Sequence, residues 1–417
     1  MNLRFLSGGL NGSVKAPPSK SMAHRALICA CLAGSGSVAN LALSEDISAT
    51  LSCMRALGAR VSSEGNTVRI HGFEPCREAV LDCGESGSTL RFLLPVAGVL
   101  GTEARFEGRG RLPERTYRAL TDQMSRHGVK FDRESGLPLS CCGRLGGGDY
   151  RLPGDISSQF LTGLLLALPF AREDSIIELT SELQSRAYVD LTLSALERFG
   201  ISVEADECRY RIAGGQQYCG KELSIEGDYS NAAFWLAAGA LGGDVTVTGL
   251  DALSVQGDQV FADILARMGA RVERGAGKIR VRSGKLHAVD LDVSQIPDLV
   301  PILAVVMARA EGISRIGNAA RLRLKESDRL HAVAENLKAL GVSADEFDDA
   351  LIIRGSEQFC FARVSGWNDH RMVMAMAIAG SCGSGLEIEG CQAVAKSYPR
   401  FLDDYKKLGG KYVDVRE

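Results

Sequence analysis

Met54-Arg55-Ala56-Leu57-Gly58-Ala59-Arg60-Val61 returns nearly unchanged as Leu265-Ala266-Arg267-Met268-Gly269-Ala270-Arg271-Val272, and this recurrence decides the fold. Looser echoes surround Gly128, Gly200, Gly341 and Gly409, so the six glycines stand 70, 72, 69, 72 and 68 residues apart. Each closes an apolar-periodic stretch that reads as a helix, because glycine accepts the left-handed backbone beyond a helix end. A short alternating segment follows, as in Val61-Ser62-Ser63-Glu64-Gly65-Asn66-Thr67-Val68-Arg69-Ile70, and predicts a hairpin. Self-similarity at a fixed period marks an array of supersecondary units, here six.

The same period carries a second element. Six further helices are predicted to open on small polar or acidic residues: Ser19 to Ser21, Ser86 to Thr89, Ser157-Ser158-Gln159, Ser230-Asn231, Asp298 and Asn368-Asp369. They run into stretches such as Phe160-Leu161-Thr162-Gly163-Leu164-Leu165-Leu166-Ala167-Leu168, apolar on every side. A helix without a polar face must be buried. Each repeat therefore combines one buried and one amphipathic helix with short strands. Six buried helices exceed what one core usually holds, and 417 residues suffice for about two domains, so two lobes of three repeats are expected.

Composition narrows the function. A net charge of −3 and few aromatics beside the basic residues argue against a nucleic-acid partner. No apolar stretch reaches the length of a membrane span. Met1-Asn2-Leu3-Arg4-Phe5 reads as an opening strand rather than a signal peptide, so a cytoplasmic protein is expected. The twelve cysteines are scattered without a Cys-x-x-Cys pair and read mostly as small buried hydrophobes.

Positive charge is placed unusually. Lys20, Arg115, Arg321, Arg323, Lys325 and Arg371 sit at or near helix starts, where the macrodipole already presents positive potential. Something anionic should offset the repulsion. In Pro17-Pro18-Ser19-Lys20-Ser21-Met22-Ala23-His24-Arg25, Ser21 and Arg25 share one helix face with Lys20 at the mouth. Capping explains a serine there, but not an arginine inside a helix as apolar as Ala26-Leu27-Ile28-Cys29, so the trio reads as an anion site. In Arg321-Leu322-Arg323-Leu324-Lys325-Glu326-Ser327-Asp328-Arg329, counting back four from Leu330 places Glu326 on the extension of the next helix's buried stripe, with Lys325 and Arg329 on the neighbouring face. A partly desolvated carboxylate between cations is the setting of a tuned acid or base. Asn368-Asp369-His370-Arg371 opens the last buried helix, with His370 read as structural, and Lys396 follows in Ala395-Lys396-Ser397. Asp298, after Ile296-Pro297, reads equally as a helix cap or as a carboxylate that takes a proton from a hydroxyl.

Taken in order, Ser19-Lys20-Ser21 with Arg25, Gly87-Ser88-Thr89-Leu90-Arg91, Glu114-Arg115, Ser157-Ser158-Gln159-Phe160, Ser185 with Tyr188, Pro297-Asp298, Lys325-Glu326-Ser327-Asp328-Arg329, Asn368-Asp369-His370-Arg371-Met372 and Ala395-Lys396 resemble the motifs of the 5-enolpyruvylshikimate-3-phosphate synthases. The resemblance covers essentially the whole chain. It implies an α/β fold, the two-domain inside-out α/β barrel of the enolpyruvyl transferases, with six β-α-β-α-β-β repeats, three per domain. One domain would hold residues 1–18 and 226–417 and the other 19–225, with the active site in the interdomain cleft. It further implies transfer of the enolpyruvyl group of phosphoenolpyruvate to the 5-hydroxyl of shikimate 3-phosphate by addition and elimination. Ser21 and Arg25 would hold the shikimate carboxylate, and Ser157, Ser158, Ser185 and Lys325 its phosphate, with Gln159, Tyr188 and Asp298 along the ring. Gly87, Arg115, Gln159 and Lys396 would take the phosphate of phosphoenolpyruvate, Arg329 and Arg371 its carboxylate, and Lys20 would touch both substrates. Asp298 would be the base toward the hydroxyl, Glu326 the acid and base at C3, and Lys20 a third catalytic group.

Cationic side chains would then grip phosphate as it leaves, so neither a covalent nucleophile nor a metal or other cofactor is expected, and the chain carries no phosphate loop, nucleophile elbow or zinc spacing. A monomer acting on small molecules is expected. Two rivals remain open: the sister transferase acting on UDP-N-acetylglucosamine, whose loop cysteine has no counterpart in Gly108-Arg109-Gly110-Arg111-Leu112-Pro113-Glu114-Arg115, and a non-catalytic protein on related repeats that binds anions or RNA ends. The chain departs from the family pattern at Arg186, Arg321 and within Gly84–Phe92.

Overall fold

The computed structural model describes residues Met1–Val415. Twelve α-helices alternate in character along the described chain: α1 (Lys20–Ala33), α2 (Glu45–Ala56), α3 (Gly87–Leu100), α4 (Arg118–Arg126), α5 (Ser158–Ala167), α6 (Arg186–Arg198), α7 (Tyr229–Ala240), α8 (Phe261–Met268), α9 (Val300–Met307), α10 (Arg329–Ala339), α11 (His370–Ser381) and α12 (Phe401–Lys407). The odd-numbered helices are the apolar ones, and every residue of α7, α9 and α11 is buried. The even-numbered ones bury one stripe, as α2 does through Ile47, Thr50, Leu51 and Met54.

Each repeat adds one four-stranded sheet, and all six sheets follow one plan. A strand leads into the buried helix and a second strand returns parallel to it, since parallel neighbours need a crossover. The amphipathic helix comes next, then a hairpin whose last strand pairs with the second strand. In the repeat carrying α3 and α4, Glu78–Asp82 lies parallel to Glu103–Glu107, which pairs antiparallel with Leu139–Gly143, which in turn pairs with Val129–Phe131. The hairpin read at Val61–Ile70 forms between Ala59–Glu64 and Thr67–Phe73, with Gly65 at φ +58° in the turn.

Three pairings depart from chain order. Asn11–Lys15 precedes α1 but lies parallel to Asp244–Thr248, the strand after α7. Lys221–Ser224 precedes α7 but lies parallel to Gly36–Ala39, the strand after α1. The opening strand Leu3–Phe5 inserts between Leu386–Glu389 and Tyr412–Asp414 and completes the last sheet. The chain accordingly divides into two compact units, one made of Met1–Pro17 with the chain from Glu226 onward, the other of Pro18–Ile225. Each has its own core, with Trp235, Ile302 and Met374 in the first and Leu27, Phe92 and Leu165 in the second. No helix among the described residues is long and apolar enough to cross a membrane.

The six repeat glycines all take positive φ, from +81° at Gly200 and Gly341 to +113° at Gly58. Ser19, Ser86, Ser157 and Asp369 cap α1, α3, α5 and α11 by accepting the N–H of Met22, Thr89, Gln159 and Arg371. Two expected helix starts need correction. α7 is capped by Asp228, while Ser230 and Asn231 lie inside its first turn. Asp298 is not the cap residue of α9: it lies within a 3-10 turn, Pro297–Leu299, and Leu299 holds the cap position. The cysteine reading also needs correction: Cys29, Cys31, Cys53, Cys83, Cys141 and Cys391 are buried, but Cys76, Cys142, Cys208, Cys219 and Cys360 are exposed. All twelve are free thiols.

Candidate active site

The predicted residues gather into two groups, one in each unit. In the unit Pro18–Ile225, α1 carries Arg25 into the interior, where it is 2% exposed. Its guanidinium donates to the Thr192 hydroxyl at 2.8 Å and to the carbonyls of Ser21 and Tyr188 at 2.7 Å each, and it lies over the Phe92 ring. All of these partners are neutral. Burial pushes the Arg25 pKa down to about 10, and among the described residues no carboxylate pairs with it. Such a charge is costly alone and favours an anionic ligand. Lys20, the first residue of α1, instead forms an ion pair at 2.7 Å with Asp46 in the first turn of α2. Sequence reasoning missed Asp46 and Thr192, whose acidic and hydroxyl signals were visible but whose helices could not be docked onto α1.

Gln159 stands one residue inside α5. Its side-chain oxygen accepts from Arg91 at 2.6 Å and its amide donates to the Ser88 hydroxyl at 2.9 Å, tying α5 to the first turns of α3. Arg91 also donates to the Thr116 carbonyl and lies over the Phe160 ring. The motif Gly87–Arg91 includes Arg91, but its spacing does not reveal this link to Gln159, 68 residues on. Gly87 has a steric reason: a Cβ there would come within 2.6 Å of the Arg115 guanidinium, so glycine lets Arg115 lie against the start of α3. Ser157 and Ser158 open α5. Ser185, buried just ahead of α6, holds φ at +59°, a strained conformation for a side chain of this kind and one that clusters at binding sites.

In the other unit the charges interlock. Arg329, the first residue of α10, is 1% exposed and binds three carboxylates at 2.8 Å: Asp369 through Nε, Asp298 through one terminal nitrogen and Glu326 through the other. Arg371, in the first turn of α11, donates to the second oxygen of Asp298 at 2.8 Å, and Lys325 approaches Asp298 at 3.9 Å. Burial alone would raise the Asp298 pKa, but Arg371, Lys325 and Arg329 outweigh it and hold the carboxyl well below the usual range. For Lys325 burial wins instead, pushing its pKa down to about 8 against the opposing pull of Asp298. Asp298 therefore sits in a cationic pocket.

Glu326 lies just ahead of α10. Asp328 caps α10 by accepting the His331 N–H, so Glu326 stands two residues before the cap. Its inward direction comes from Arg329, three residues on. Arg321 lies in a 3-10 turn, Ala320–Leu324, which Lys325 follows, and Arg323 clasps the turn to Asp328 at 3.0 Å and Glu346 at 2.6 Å. His370 is buried with Nδ1 3.8 Å from Asp369. Lys396 donates to the Asn368 carbonyl at 2.7 Å, and Asn368 itself adopts φ +50°. Among the described residues, no group of three or more His, Cys, Asp and Glu has the arrangement of a metal site.

Comparison with known proteins converges on one family. The family model described as EPSP synthase (3-phosphoshikimate 1-carboxyvinyltransferase) matches residues 6–405. A 3-phosphoshikimate 1-carboxyvinyltransferase of Clostridium kluyveri is 45% identical over 408 residues, 96% of each chain, and one of Clostridium novyi is 41% identical over 98% of each. Among solved structures, an EPSP synthase from Acinetobacter baumannii superposes with a TM-score of 0.82 at 26% identity, over 99% of this chain and all of that one. The enolpyruvyl transferase NikO from Streptomyces tendae shares the fold, with a TM-score of 0.81 at 20% identity over 99% of each chain.

Proposed function

The chain belongs to the EPSP synthase (3-phosphoshikimate 1-carboxyvinyltransferase) family, and from that premise we propose how its residues divide the work. The enzyme is a transferase of aromatic amino acid biosynthesis: it moves the enolpyruvyl group of phosphoenolpyruvate to the 5-hydroxyl of shikimate 3-phosphate and releases phosphate.

In our reading Arg25 and Ser21 take the shikimate carboxylate, a role supported by the neutral surroundings of Arg25. Ser157, Ser158, Ser185 and Lys325 take its phosphate, with Gln159 and Tyr188 along the ring. Gly87, Arg115, Gln159 and Lys396 take the phosphate of phosphoenolpyruvate, Arg329 and Arg371 its carboxylate, and Lys20 contacts both substrates. Arg329 already binds three carboxylates, so a substrate carboxylate reaches it only by exchange. That exchange has a chemical use: a guanidinium transferred to the substrate releases Asp298 or Glu326 to accept a proton.

The addition step joins the 5-oxygen to C2 of phosphoenolpyruvate, passing the hydroxyl proton to Asp298, while C3 gains a proton by way of Glu326. In elimination the proton on C3 returns to Glu326, the bond from C2 to the phosphate oxygen breaks, and phosphate departs as an anion held by Arg115 and Lys396. Fixed cations stabilise the charge that develops on the departing group.

The observation that carries this reading is Asp298 at the focus of Arg371, Arg329 and Lys325, at 2.8, 2.8 and 3.9 Å. Phosphate release from phosphoenolpyruvate tests it, measured with shikimate 3-phosphate, with UDP-N-acetylglucosamine and with no acceptor. Release is expected with the first alone. Turnover with the nucleotide sugar, or loss of none of it in Asp298→Asn, would overturn the assignment.

A further inference from the structure

Asp258 lies in the 3-10 turn Gly257–Val260, between α7 and α8, and none of the chemistry above uses it. It is 4% exposed, one of the most deeply placed carboxylates of its unit. One oxygen accepts the Ser230 hydroxyl from the first turn of α7, and the other has no hydrogen-bond partner. Unlike Asp298, Glu326 and Asp369, it forms no ion pair with any described residue. The charged groups acting on it are Asp298 ahead of α9, Arg371 on α11 and Asp228, the cap of α7. Two of these three are carboxylates. Beside it Asn231 also keeps a buried oxygen without a partner, and the Asn231 amide reaches Ser397 next to Lys396 at 3.4 Å.

A buried carboxylate with one neutral donor and no cation of its own is costly when ionised, and protonation relieves the cost. Were it ionised, it would also be a further claimant on Arg371, which already serves Asp298. We propose that Asp258 is carried as the neutral acid, a positioning residue whose proton keeps the Arg371 guanidinium available to the carboxylate of phosphoenolpyruvate. This deepens the reading above and rests on it for the identity of the ligand. The ionisation agrees with the geometry: burial first, and Asp298 second, push the Asp258 carboxyl up to about 7 against the opposing pull of Arg371 and Ser230.

The sign follows from that direction. Below about pH 7 Asp258 is neutral and Arg371 is committed to Asp298 and ligand; above it the new charge draws on Arg371, and affinity for phosphoenolpyruvate falls. The KM for phosphoenolpyruvate should rise about tenfold across this ionisation, the scale of one charge-assisted hydrogen bond, while kcat changes less. Lys325 titrates nearby, at about 8, so the difference between variants is the readout. Asp258→Asn, neutral at every pH, should flatten the rise in KM and leave affinity for shikimate 3-phosphate unchanged. Ser230→Ala removes the one donor to the ionised form and should displace the rise to higher pH, which serves if Asp258→Asn fails to fold.

Infrared titration of the ligand-free enzyme separates this proposal from the assignment of the reaction. The band of a protonated carboxyl should persist to near-neutral pH in the wild type and be missing from Asp258→Asn. A carboxyl that deprotonates in the ordinary aspartate range overturns the proposal whatever the substrate. A KM profile of Asp258→Asn that rises like that of the wild type overturns it equally.

Discussion

Asp298 and Glu326 both contact Arg329, yet their surroundings separate them. Asp298 pairs with two buried guanidiniums and lies 3.9 Å from a lysine, whereas the Glu326 side chain, which pairs with Arg329, is 23% exposed. If Glu326 carries the proton at C3, Glu326→Gln should lower turnover by about 10²-fold or more, the usual size of a general acid–base contribution. In deuterated water the wild type should place deuterium in the enolpyruvyl methylene, and Glu326→Gln should do so far more slowly. Exchange as fast as in the wild type would pass the proton role to Lys20. Asp298→Asn should also be slow, but it leaves Arg371 and Arg329 short of a buried partner, a kind of change that costs about 3–5 kcal/mol. A thermal melt therefore distinguishes the two: a large fall for Asp298→Asn, a small one for Glu326→Gln.

At the level of the element, the repeat glycines end helices that feed directly into the next strand. Gly269 and Gly409 test what this requires, because they lie in the same unit with nearly equal φ, +106° and +92°. A Cβ on Gly269 would meet the Lys285 carbonyl oxygen at 2.2 Å, whereas one on Gly409 meets nothing within 4 Å. Gly409→Ala should cost only the backbone strain of a positive φ, about 1–3 kcal/mol. Gly269→Ala adds displacement of a backbone carbonyl and should cost clearly more. Urea denaturation of the two variants measures the difference, and equal midpoints would show that φ alone matters. The helix starts follow the same logic. Ser19, Ser86, Ser157 and Asp369 were legible as caps because capping is a contact over two or three residues. Asp298 was not, because Pro297 tightens the chain into a 3-10 turn and frees its side chain for distant partners.

For the whole molecule, the exchanged strands make the two units unequal. The three sheets of Pro18–Ile225 are built entirely from its own residues, while the other unit borrows Leu3–Phe5 and Asn11–Lys15 from the N-terminus. Residues 18–225 expressed alone should melt cooperatively. Residues 226–417 alone lack a strand in two of their sheets and should not, until a peptide of residues 1–17 is added. Cooperative melting of 226–417 without the peptide would show that the borrowed strands are dispensable. The sequence by itself determined the six repeats, the buried and amphipathic helices and the order of the motifs, since periodicity and capping are written over a few neighbouring residues. Only the tertiary structure decided that Asn11–Lys15 pairs with Asp244–Thr248, that Asp298 belongs to Arg329 and Arg371, 31 and 73 positions away, and that Asp258 meets the Ser230 hydroxyl and no cation partner among the described residues. Local pattern records which face of an element leaves water, but which distant strand or charge meets it depends on the packing of the whole unit.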